Sequence, residues 1–216
     1  MRVYLIRHGE SFSNAHPEAL ALPDAEGDRL TERGKQQADE AGRYLAATEF
    51  ASFITSPARR ALETAEHVGA ALGLGAEVEP IIHELREGSG YEALPPEQQR
   101  LQRWSTWMAE HGHDPDYAPP GGESFNDVIG RVRAFKRRLD EIEGPALAVT
   151  HGIFKRFFFI DSLLGDGFEA ADVGRLWQLG SVNAGVSVFE DTAATEKDPA
   201  SGWRCLSWME RPWTPR

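Results

Sequence analysis

The sequence predicts an α/β fold in which a mostly parallel central sheet is flanked by helices, and three observations support it. Short apolar runs rich in β-branched and aromatic residues alternate with segments whose apolar residues recur every three to four positions. Three of the runs stop abruptly at a turn former, Gly9, Pro57 or Gly152. Unusual polar residues follow those same three stops, at the strand ends where an open α/β sheet binds its ligand.

The elements follow in order. Met1 to Ile6 reads as a buried strand, and residues 15 to 29 as a loop without periodicity. Thr31 is the expected N-cap of a helix reaching about Ala47, with Ala38, Ala41 and Leu45 on its apolar face. Ser52 to Thr55 is a second strand, and Ser56-Pro57 opens a helix through about Leu72. Glu77 to Ile82 reads as a third strand. Between Gly88 and Gly122 the pattern loosens around prolines 95, 96, 115, 119 and 120, which suggests an inserted lid. Within it Pro96 to about Glu110 reads as a helix with Trp104, Trp107 and Met108 on one side; Tyr91 joins the two tryptophans as a candidate for the underside of the lid. A helix from Glu123 or Ser124 to about Ile142, an apolar strand Ala146 to Thr150 and a helix after Gly152 come next. Val186 to Glu190 and Arg204 to Trp208 supply one or two further strands.

At 216 residues the chain suits one domain, 1–216, with the 88–122 insertion as its elaboration. Lysine and arginine number 23 against 34 aspartate and glutamate, a net charge of −11 that argues against sequence-independent nucleic-acid binding. No apolar run approaches the roughly 18 residues of a membrane span, and no secretory signal is expected. With Cys205 as the sole cysteine, no disulfide can form within the chain, and a cytoplasmic location is expected. The sequence does not fix the oligomeric state.

The polar residues at the strand ends suggest chemistry. Arg7-His8-Gly9-Glu10-Ser11, Ser56 to Arg60 and Thr150-His151-Gly152 converge on one edge of a parallel sheet, where two histidines and two or three arginines make a cationic site for a phosphate ester. Other candidates point elsewhere. His111, His113, Asp114 and Asp116 could ligate a metal but share a proline-flanked loop that reads as solvated. Trp203, Trp208 and Trp213 read as anchors for the C-terminal segment, and Gly121-Gly122 lacks the lysine of a phosphate-binding loop.

These motifs resemble the histidine phosphatase superfamily, the phosphoglycerate mutase-like proteins. Leu5-Ile6-Arg7-His8-Gly9-Glu10-Ser11 with Asn14 is similar to its signature. Leu30-Thr31-Glu32-Arg33-Gly34, Thr55-Ser56-Pro57 with Arg60, Gly121-Gly122-Glu123-Ser124, Val149-Thr150-His151-Gly152 and Asn183-Ala184 follow in family order. The resemblance, spanning residues 2 to about 190, implies a three-layer sandwich of the phosphoglycerate mutase-like kind. It also implies that His8 attacks phosphorus to give a phosphohistidine, that Arg7, Arg60 and His151 hold the phosphoryl oxygens, and that Asn14 reaches the same group. No metal or other cofactor is implied. One glutamate should protonate the leaving oxygen and then activate water. Glu84 is favoured because it keeps the strand register and precedes Gly88 by four residues; Glu87, in Leu85-Arg86-Glu87, is the alternative.

The function expected is a metal-independent phosphomonoesterase acting on a small phosphorylated substrate, with neither nucleic acid nor membrane as partner. A phosphoglycerate mutase is the alternative within the family, weakened because Ala15-His16-Pro17-Glu18-Ala19-Leu20 lacks the Gly-Trp pair typical of such mutases. A non-catalytic phosphate-binding module is the alternative from another class. Against it, the full set His8, His151, Arg7, Arg60 and an acid is present.

Overall fold

The computed structural model describes residues 1–16, 27–89, 96–111, 113–167, 169, 172, 174–175, 178–193 and 201–213. A six-stranded sheet has the order β3-β2-β4-β1-β5-β6, comprising β1 (Arg2–Arg7), β2 (Ser52–Thr55), β3 (Glu77–Val78), β4 (Ala146–Thr150), β5 (Val186–Thr192) and β6 (Gly202–Glu210). β3, β2, β4 and β1 pair in parallel, while β5 runs antiparallel to β1 and to β6. The central strand β4 is buried along its whole length, and both its faces are apolar because both are covered. Ala146 and Ala148 pack with α4 (Pro96–His111), α5 (Phe125–Asp140) and α6 (Gly152–Leu164). Leu147 and Val149 face α2 (Glu32–Leu45) and α3 (Arg59–Leu72). The result is helix, sheet, helix: three layers with two apolar cores.

Local signals explain most boundaries. Thr31 caps α2 by accepting from Gly34 N at 3.0 Å. Ser124 and Asp127 form a reciprocal capping box for α5, with bonds of 3.0 and 2.9 Å. Two boundaries depart from the sequence reading. The third strand stops at Val78, and Pro80–Ile82 forms a 3₁₀ turn; Pro80 has no N–H for the ladder, and the Glu79 carboxylate accepts from Ile81 N. α3 begins at Arg59, because Ala58 remains extended at ψ 137° and the Ser56 side chain is turned toward His151. A short helix, α1 (Phe12–Ala15), also lies within the segment just after the first motif.

The 88–122 insertion is fastened at its base. Ser89 N donates to Pro120 O and Glu123 N to Arg86 O, both at 2.9 Å. Trp107 is buried, gives its indole N–H to Glu123 O at 2.9 Å, and meets the Phe157 ring edge-on. Residues 90–95, Tyr91 among them, and the Trp104 side chain lie outside the described residues. His113, Asp114 and Asp116 are exposed, with Asp114 Oδ1 accepting from Asp116 N and Asp116 Oδ1 from Asn126 Nδ2. Those carboxylates serve turns; the His111 side chain lies outside the described residues. At the C-terminal end Trp203 packs on Phe158, Trp208 on Phe159 and Trp213 on Tyr44. Among the described residues no helix is long and apolar enough to cross a membrane.

Candidate active site

The parallel register brings the three polar strand ends together. Arg7 on β1 lies beside Thr150 on β4, and Thr55 on β2 beside Val149. Each chain continues past its strand with one more backbone bond to β4: His8 N donates to Thr150 O at 3.0 Å and Ser56 N to Val149 O at 2.9 Å. His8, Ser56 and His151 are therefore neighbours on one edge of the sheet. The His8 and His151 rings lie 5.3 Å apart, and both are buried.

His8 is held in a defined tautomer. Its Nδ1 lies 2.7 Å from Gly9 O, and a carbonyl only accepts, so the proton sits on Nδ1 and Nε2 carries the lone pair. The surrounding turn is tightly specified. Gly9 N donates to Thr64 Oγ1 at 2.9 Å, Thr64 Oγ1 donates to Arg60 O at 2.6 Å, and Ala184 N and Asn183 Nδ2 both donate to His8 O. Ala184 adopts a φ of 55°, strain that the bond to His8 O offsets. A Cβ on Gly9 would overlap the carbonyl of Gly34, so the turn requires glycine there.

His151 makes two side-chain bonds. Arg60 Nη2 donates to its Nδ1 at 3.0 Å, and its Nε2 lies 2.7 Å from Ser56 Oγ. Burial, followed by the nearby Arg60, His8, His83 and Arg7 side chains, pushes its pKa well below the usual histidine range. The ring is accordingly neutral near pH 7 and has one N–H to give.

Arg7 and Arg60 flank the histidines. Arg7 Nη1 donates to Ser181 O at 2.9 Å and to Ser181 Oγ at 3.1 Å. Gly152 makes room for this arrangement: a Cβ there would lie 2.9 Å from Ser181 Oγ and 3.5 Å from Arg7 Nε. Arg60 also forms an ion pair with Asp28 through Nη1. Asn14 Oδ1 accepts from Ser11 N and Asn183 Nδ2, so its own N–H₂ is the end it can offer a ligand.

Glu84 lies at the N-terminus of α6, the helix that His151 precedes. Its Oε1 accepts from Leu85 N and Phe154 N, and its Oε2 from Ile153 N, at 3.1 to 3.2 Å. Glu87 is half-buried in the loop that follows. Beneath this loop, Arg131 makes two bonds to the buried Glu123 and two to the carbonyls of Ile81 and His83. The sequence reading assigned no role to Asp28, Ser181, Asn183 or Arg156, whose Nη2 donates to Leu179 O at 2.9 Å. Arg156 follows His151 by five residues inside an apolar helix, which is a signal; Asp28 and Ser181 sit in aperiodic segments and offered none.

The family model of the histidine phosphatase superfamily (branch 1) matches residues 3–197. Phosphoserine phosphatase 1 of Hydrogenobacter thermophilus is 29% identical over 199 residues, spanning 88% of this chain and 86% of its own. The probable phosphoglycerate mutase GpmB of Yersinia enterocolitica is 30% identical over 162 residues, spanning 71% and 70%. Among solved structures, the native mycobacterial glucosyl-3-phosphoglycerate phosphatase Rv2419c superposes with a TM-score of 0.72 at 26% identity, covering 97% of this chain and 99% of that one.

Proposed function

Because the chain belongs to the histidine phosphatase superfamily, branch 1, we propose that it is a phosphomonoesterase that needs no metal and works through a phosphohistidine on His8. The observation behind this is the pairing of His8 and His151, 5.3 Å apart between two arginines, with the His8 tautomer set so that Nε2 carries the lone pair. Attack by Nε2 on phosphorus forms the N–P bond and breaks the bond to the leaving oxygen. Arg7 and Arg60 neutralise the non-bridging oxygens, doing electrostatically what a metal would otherwise do, and the Asn14 amide adds a neutral donor. Glu84 gives its proton to the leaving oxygen, then takes one from the water that attacks the phosphohistidine. Its place at the start of α6 puts this carboxyl beside His151, within the proposed site. The substrate class is a small phosphorylated molecule.

A panel of phosphomonoesters, assayed with a metal chelator present, tests this reading. The account expects release of inorganic phosphate throughout, and with 3-phosphoglycerate at most slow release and no efficient 2-phosphoglycerate formation, even when 2,3-bisphosphoglycerate primes His8. Efficient isomerisation would turn the assignment to a mutase. Loss of all activity with the chelator would remove the metal-independent mechanism.

The two candidate acids separate by leaving group. A nitrophenolate departs without protonation, whereas an alkoxide needs a full proton. Glu84→Gln is expected to lose roughly 100-fold or more on an alkyl phosphate and far less on nitrophenyl phosphate, while Glu87→Gln affects both alike or neither. The opposite pattern would move the acid to Glu87.

A further inference from the structure

The hydrogen bonds around His151 do not suit the role that a phosphoryl-binding histidine must play. A guanidinium only donates, so with Arg60 on Nδ1 the single ring proton of a neutral imidazole sits on Nε2 and points at Ser56 Oγ. Ser56 is fully buried, and its other partner among the described residues is the Ala58 N–H at 3.4 Å, which can also only donate. In this arrangement the serine oxygen receives two protons and its own hydroxyl proton finds no acceptor among those partners. The second tautomer removes the mismatch. With the ring proton on Nδ1, the Ser56 O–H donates to Nε2 and the Ala58 N–H donates to Ser56 Oγ. Nδ1–H then needs an acceptor, and Arg60 must turn elsewhere. A phosphoryl group between the histidines meets both needs, accepting from Nδ1–H with one oxygen and from Arg60 with another.

We propose that Ser56 is the positioning residue of this site, and that phosphoryl binding switches His151 from the Nε2–H to the Nδ1–H tautomer by rotating the Ser56 hydroxyl from acceptor to donor. The inference rests on the phosphatase reading above and goes beyond it. The ring is neutral before and after the switch: one proton leaves Nε2 and one arrives at Nδ1, exchanged with solvent water. A hydroxyl can make the change because it both donates and accepts, which no apolar side chain at 56 could do. In the free site Arg60 on Nδ1 holds His151 in the Nε2–H form, whose proton goes to Ser56 and not to a ligand. The phosphoryl group itself elicits the donor.

The full-length protein labelled with ¹⁵N-histidine tests the switch, with the His151 resonances assigned by their loss in His151→Gln. Alone, the protein should show a protonated Nε2 and an unprotonated Nδ1; with saturating orthovanadate the two should exchange character. Ser56→Ala should lower kcat by roughly 10- to 100-fold with little change in KM and abolish the exchange. Ser56→Thr, which keeps the hydroxyl, should restore both. An unchanged His151 tautomer while the His8 resonances report bound vanadate would overturn the proposal and leave the phosphatase reading standing. So would a Ser56→Ala variant with wild-type kcat. If vanadate leaves His8 unperturbed and no ester is turned over, the phosphatase reading fails and the switch falls with it.

Discussion

His8→Ala is expected to lose turnover by a factor on the order of 10⁴ or more, because in the proposed mechanism it removes the one group that bonds to phosphorus. The fold should survive the change. The His8 side chain belongs to neither apolar core, and the turn that carries it is held through the His8 backbone, whose N donates to Thr150 O and whose O accepts from Ala184 N and Asn183 Nδ2, bonds that an alanine would keep. The thermal midpoint of the variant should therefore lie within a few degrees of the wild type, and inorganic phosphate or vanadate should still bind. Turnover within tenfold of wild type would remove His8 from the chemistry. A collapsed midpoint would instead mean that the imidazole holds the turn together, contrary to the packing described.

Arg131→Met is expected to produce the largest loss of stability. Glu123 is 2% exposed, and its carboxylate receives two bonds from Arg131, at 2.8 and 3.1 Å, besides the Arg86 backbone N–H at 2.9 Å. Removing the guanidinium leaves that carboxylate buried with Arg86 as its nearest strong cation, whose side chain is 61% exposed and reaches it at 3.3 Å. It also leaves the carbonyls of Ile81 and His83 without their donor. Breaking one side of a buried pair costs about 3–5 kcal/mol, which for a chain of this length lowers the midpoint by about 6–20 °C. A shift below about 2 °C would show that water or Arg86 compensates fully. Glu123→Gln with Arg131→Met together should be less damaging than Arg131→Met alone, since the stranded charge is then gone.

The sequence made the sheet legible where chemistry and packing agree. Val3 to Ile6 and Ala146 to Thr150 are apolar on both faces because both faces are covered, and a His-Gly pair follows each run, the glycine letting the chain turn. β3 was misread in extent: Ile81 and Ile82 continue the apolar run, but Pro80 cannot donate to a ladder, and Ile82 is buried from a 3₁₀ turn instead. The site divides in the same way. His8, Arg7, Arg60 and His151 stood out because polar groups at strand ends are unusual. Ser56 was visible as part of a helix start, yet its bond to His151 joins residues 95 positions apart and leaves no periodic trace. Asp28 is likewise set against Arg60 by tertiary packing alone. Lys155 shows the converse. It was assigned no role from the sequence, yet the structure buries it completely, with Nζ donating to Leu5 O and Gly185 O and its pKa pushed well down by burial.

The central claim is covalent: phosphate passes through His8 with no metal involved. Rapid mixing of the protein with a phosphomonoester in the presence of chelator, quenched in base and mapped by mass spectrometry, tests it most directly. The account predicts a phosphoryl group on His8, stable to base and lost in acid, formed and discharged at rates that match turnover. Steady turnover with His8 unmodified at every quench time would contradict it.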